Sequence, residues 1–126
     1  MKSTLLPIII FFFLCLSCDN SDNINGNLCS VENAIEDLDW LKSKIAEYKE
    51  NSSDTQKYFY VTRAAYENMT VIIFPNCCPL CNTVTLVYNC SGELLGIVGS
   101  REEDIDEGIL DRDIIIWKPD DFACSE

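Results

Sequence analysis

Cys78-Pro79-Leu80-Cys81 is the segment whose residue types and spacing come closest to a reactive group, because two thiols separated by two residues can exchange with a disulfide. Cys77 precedes it directly, and Cys29, Cys90 and Cys124 bring the cysteines beyond Cys15 and Cys18 to six. Three chemistries use such a set. Redox exchange needs its first thiol at a helix N-terminus, which lowers the thiol pKa; the residues that follow here, Asn82 to Tyr88, alternate like a strand. A zinc centre at Cys77, Cys78, Cys81 and Cys90 would lack the two separated CxxC knuckles of a four-cysteine site, so no metal is assigned. Structural bridging fits best: Cys29, Cys77, Cys78, Cys81, Cys90 and Cys124 are even in number and suit three disulfides in an oxidising compartment. Exchange at Cys78 and Cys81 stays as an alternative.

Other catalytic chemistry finds little support. The chain has no histidine, which excludes serine–histidine and cysteine–histidine nucleophilic sites and histidine-ligated metals. No carboxylate sits in an apolar motif that would raise its pKa. Gly92, Gly96 and Gly99 are spaced as strand and turn punctuation and not as a phosphate loop. No catalytic residue and no cofactor is therefore expected. Glu102, Glu103, Asp104, Asp106, Glu107, Asp111 and Asp113 form an acidic run, read as a solvated face. Asp104 to Gly108 has the look of a calcium loop, but its glycine falls at the fifth position and no glutamate stands at the twelfth. The formal charge is −12, and no basic stripe offsets it, so nucleic acid is not a partner.

The elements that must hold these cysteines are legible in the periodicity. Ile35, Leu38, Leu41, Ile45 and Tyr48 recur at helical steps, which predicts a helix from Val31 to Lys49 with Ser30 as its cap. The period then changes to two. Strands are predicted at Tyr58–Thr62, Met69–Phe74, Thr83–Tyr88, Leu94–Val98 and Ile114–Trp117, with a tight turn at Asn89-Cys90-Ser91-Gly92. The expected fold is α+β, one N-terminal helix packed on an antiparallel β-meander of four to five strands in two layers, disulfide-braced. If strands 69–75 and 83–89 form a hairpin, Cys77, Cys78 and Cys81 share its loop while Cys90 lies a strand's length away, roughly 20 Å. Disulfide Cα atoms must lie within about 7 Å. Cys90 then pairs with Cys29 or Cys124, one loop cysteine takes the other, and the remaining two join as Cys77–Cys81 or Cys78–Cys81, leaving four pairings.

The N-terminus carries a different chemistry. Lys2 precedes an apolar run from Leu5 to Leu16, and the small Ser17 precedes Cys18. The run is shorter than the roughly 20 residues a membrane-spanning helix needs. Asp19 to Asn27 is polar and reads as a tether that reaches at most about 30 Å. The segment Leu14-Cys15-Leu16-Ser17-Cys18 resembles the lipobox of bacterial lipoproteins. Together with Cys29 to Leu41, Cys77 to Asn82, the Tyr88 to Gly92 turn and Cys124, it makes the chain similar to the small cysteine-containing lipoproteins of Bacteroidota.

That resemblance implies a signal peptide over 1–17, acylation of Cys18, a lipidated tether over 18–27 and a single α+β domain over 28–126. It implies attachment to a lipid bilayer, with the domain outside the cytoplasm at the bacterial cell envelope, at the outer membrane, and it implies no defined reaction. The expected role is a binding or structural module that offers a disulfide-braced face or the loop 76–82 to a protein or glycan partner. A protease-inhibitor-like use of that loop and redox exchange at Cys78 and Cys81 are the alternatives.

Overall fold

The computed structural model describes residues 28–51, 53–99 and 104–125. Cys15, Cys18 and the whole leader and tether lie outside the described residues, as do Glu102 and Glu103. The fold is α+β.

The helical region is in two parts, α1 (Ala34–Asp37) and α2 (Asp39–Glu50), separated by an extended Leu38 with φ −96° and ψ 99°. A single helix from Val31 is therefore not formed, and Ser30 caps nothing. Cys29 and Ser30 take φ of 56° and 63° in a turn that leads the chain toward Cys90. Asp37 folds its carboxylate back to accept from the Asn33 N–H at 2.9 Å, which closes α1 as a separate turn. On α2, Leu41 and Ile45 are buried and Tyr48 half-buried, as the helical spacing requires.

Six strands form one sheet in the order β5-β4-β3-β2-β1-β6. They are β1 (Val61–Tyr66), β2 (Met69–Phe74), β3 (Thr85–Asn89), β4 (Leu94–Val98), β5 (Asp104–Ile105) and β6 (Ile114–Trp117). Strands β1 to β4 are an antiparallel meander. The last predicted strand, β6, does not extend it past β4 but returns to the free side of β1, while the two-residue β5 pairs parallel to β4. β1 begins three residues later than the sequence suggests and runs on to Tyr66. It closes on β2 through Glu67 and Asn68, whose φ of 47° and 63° are those of a type I′ hairpin turn.

Both faces of the sheet are covered, so the two-layer expectation is incomplete. On the front, Val61, Ile72, Phe74 and Tyr88 pack with Ala34, Leu41 and Ile45 of the helices. On the back, Ala64, Val71, Ile73 and Val87 are covered by Ile105 and by Ile109 of a 3-10 helix, Glu107–Arg112. This is the acidic run. Its described carboxylates at 106, 107 and 111 face solvent while Ile105 and Ile109 go inward, and Asp106 caps the 3-10 helix by accepting from the Gly108 N–H at 2.9 Å. Burial on both faces explains why β2 reads Val-Ile-Ile-Phe without alternation.

Candidate functional site

The β2–β3 connection, residues 75–84, is held by two disulfides and several backbone hydrogen bonds. Pro75 is buried, and its carbonyl accepts from the Tyr60 N–H at 3.4 Å. Asn76 forms an isolated antiparallel bridge with Phe59, and the Cys77 N–H donates to Tyr58 O at 3.1 Å. Cys77 is bonded to Cys124, with Cα atoms 5.8 Å apart, which brings the C-terminal segment alongside. That segment is held again where the Ala123 N–H donates to Lys57 O at 2.9 Å and Phe122 meets the Tyr60 ring edge-on at 5.4 Å. Burial, with Asp113 adding to it, holds the Tyr60 phenol above its usual pKa.

Beyond Cys77 the chain makes a tight cap. The Asn76 Oδ1 accepts from the Cys78 N–H at 2.7 Å, and Cys78 is bonded to Cys81 with Cα atoms 5.3 Å apart. The Cys81 N–H points to Cys78 O at 3.4 Å, so Pro79 and Leu80 occupy the two central positions of a turn closed by backbone and disulfide alike. The Leu80 side chain has 96% of its surface exposed, with Pro79, Asn82, Thr83 and Val84 exposed beside it. An apolar side chain this exposed, on a backbone this restrained, is a projecting knob.

The remaining cysteines are at the other end of β3. Cys90 is bonded to Cys29 with Cα atoms 5.5 Å apart. The Asn89 side chain builds the adjacent turn, accepting from the N–H groups of Ser91 at 2.9 Å and Glu93 at 3.0 Å. The Trp40 Nε1–H donates to Cys90 O at 3.0 Å, and its ring lies against Gly92. The pairing Cys29–Cys90, Cys77–Cys124 and Cys78–Cys81 is one of the four that strand length allowed. Cys77, Cys78 and Cys81 come together, and Cys90 does not join them, so the four thiols weighed for zinc are not gathered. Among the described residues no group of three metal-ligating side chains is gathered anywhere.

The redox alternative meets a specific obstacle. Residues 81–84 have no helical structure and lead straight into β3, so Cys78 stands at no helix N-terminus. Within the loop 76–82 of the inhibitor alternative, residues 78–81 are folded into a turn. A separate shallow cleft of about 440 Å³ lies between the end of α2 and residues 53–59, lined by Tyr48, Asn51, Ser53, Gln56 and Phe59, with no carboxylate or thiol. No described helix is long and apolar enough to cross a membrane.

No family model, no curated protein and no solved structure matches the chain. A sequence signal marks the site: no Asp, Glu, Lys or Arg occurs between Glu67 and Glu93, although charged residues make up 24% of the chain. The tip lies at the middle of this uncharged stretch.

Proposed function

We propose that this protein is a membrane-anchored extracytoplasmic lipoprotein of the bacterial cell envelope, attached through acylated Cys18 and acting as a binding module. The observation that carries the binding reading is Leu80, fully solvated on a turn closed by one disulfide and flanked by a second. Rigid presentation matters because a preformed loop loses little conformational entropy when it docks. The anchoring reading is supported by the spacing Leu14-Cys15-Leu16-Ser17-Cys18 and by cysteines paired as an oxidising compartment favours. Two or more acyl chains on one cysteine give stable attachment where one does not.

Intact-mass analysis of the natively produced protein, without reduction, tests both parts. The expected species begins at Cys18, carries a diacylglycerol adduct and contains three closed bridges. Cys18→Ser should abolish the adduct and move the protein from the membrane fraction to the soluble one. A mature chain that starts elsewhere or lacks lipid would overturn the anchor. Free thiols at Cys78 and Cys81 would revive the redox alternative.

A further inference from the structure

The cleft at the end of α2 combines a fixed aromatic wall with an unmet hydrogen-bond donor. Tyr48, in the last turn of α2, stacks on Phe59 with ring centroids 4.9 Å apart and meets the Phe74 ring at 5.7 Å. Phe59 is fixed in turn by its bridge to Asn76 and by its N–H, which donates to Gln56 O at 3.1 Å. The wall is therefore in place before any ligand arrives. Gln56 opens a 3-10 turn, Gln56–Tyr58, and its backbone N–H donates to Ser53 O at 3.0 Å. Its side chain lines the cleft, yet the Nε2 atom is enclosed and has no hydrogen-bond partner among the described residues. A buried donor without an acceptor carries its desolvation penalty uncompensated, so an acceptor supplied by a ligand relieves that penalty as well as forming a bond. Turning this nitrogen into the cleft breaks no bond that it makes.

We propose that the cleft binds a neutral saccharide, with Gln56 Nε2 donating to a sugar oxygen and the Tyr48 and Phe59 rings packing on sugar C–H groups. The volume of about 440 Å³ falls within the ~300–1,000 Å³ of small-molecule sites. Asn51 and Gln56 bring amides and Tyr48 and Ser53 bring hydroxyls, groups that donate and accept as sugar hydroxyls do, and no charged side chain lines the space. The electron-rich faces of aromatic rings attract C–H edges. An anion is disfavoured, because the neighbouring Glu47, Glu50 and Asp54 are exposed and the chain is strongly acidic. Lys49 and Lys57 do not offset them at the cleft, since they lie over the Trp117 and Tyr58 rings at 5.8 and 5.4 Å. A quaternary ammonium is the competing ligand, as it too uses aromatic faces. It offers Gln56 no acceptor and leaves the donor unmet. Neither acylation of Cys18 nor the Leu80 tip enters this binding, so its failure would leave both of those readings standing.

Nuclear magnetic resonance titration provides the test. The natively produced protein, isotope-labelled and held in micelles of a detergent without a sugar or choline headgroup, is titrated separately with maltotriose, cellotriose, triacetylchitotriose and choline. At least one saccharide is expected to shift the Gln56 side-chain amide and the backbone signals of Tyr48, Asn51 and Phe59 saturably, with dissociation in the millimolar range. The same complex should give Overhauser contacts from sugar C–H protons to the Tyr48 and Phe59 rings. Gln56→Glu and Gln56→Leu, each checked by an otherwise unchanged spectrum, should weaken that binding about fivefold, while Leu80→Asn leaves it unaltered. Saturable shifts with choline alone, saccharide shifts confined to other parts of the domain, or no response to any of the saccharides would overturn the site. Full affinity in both Gln56 variants would overturn the role given to its amide.

Discussion

Thr62 is fully buried on β1, and its hydroxyl has no hydrogen-bond partner among the described residues. A buried hydroxyl without a partner carries its desolvation penalty uncompensated. Thr62→Val keeps the branched shape and should stabilise the fold by about 1 kcal/mol, read from urea unfolding midpoints. Gly92 is the converse case, because its φ is +83° and an added Cβ would stand 2.8 Å from the Trp40 ring. Gly92→Ala should cost about 1–3 kcal/mol in the same assay, since ring and turn both carry the Cys29–Cys90 corner. Leu80→Asn, by contrast, should change stability by no more than about 0.5 kcal/mol, because the side chain touches almost nothing. Leu80 thus contributes little to folding. The turn at Asn89 to Gly92 was legible from residue types alone, because asparagine and glycine there act through local hydrogen bonds and backbone freedom. The hairpin turn at Glu67-Asn68 was not, since its first position holds a residue with no preference for the left-handed region.

Among the elements, the acidic segment 104–112 departs most from its sequence pattern. Ile105 and Ile109 are spaced four apart within it, as on one helical face, yet the surrounding carboxylates dominate its composition. Ile109→Ala should destabilise by about 2–5 kcal/mol in calorimetric unfolding, a loss foreign to a solvated loop. On α2, the apolar stripe predicted the buried face correctly because helical spacing is a local property, whereas the break at Leu38 left no mark in that spacing. Tyr48, on α2, and Tyr60 also give the domain an alkaline limit. Burial raises both phenols above their usual pKa, with Tyr88 and Glu47 adding at Tyr48 and Asp113 at Tyr60. Below about pH 10 folded and unfolded chains are both protonated, and the full stability is present. Above it the unfolded chain releases its protons first, and stability falls as pH rises through the folded values. Tyr48→Phe should flatten part of that fall in a melting-temperature series from neutral to alkaline pH.

For the molecule as a whole, covalent closure is comparable in size to the largest packed contacts. Cys29–Cys90 and Cys77–Cys124 span 61 and 47 residues, and in the chain-entropy treatment each stabilises by about 4 kcal/mol. Cys78–Cys81 closes a span of only three residues and contributes about half as much. The double variant Cys29→Ser with Cys90→Ser should therefore lower the melting temperature far more than Cys78→Ser with Cys81→Ser, which should leave the sheet intact while loosening the tip. A small domain is stable by only about 5–15 kcal/mol, so loss of both long bridges should unfold it. The sequence alone determined the α+β class, the paired strands β2 and β3, and the separation of Cys90 from the loop cysteines. Each of these follows from periodicity or from the fixed rise of a strand, and both are local physics. Only the tertiary structure decided which of four pairings forms, that β6 returns to β1, and that Ile105 and Ile109 close the back of the sheet. Those outcomes depend on which distant apolar surfaces find each other, and residue spacing along a chain does not encode that choice.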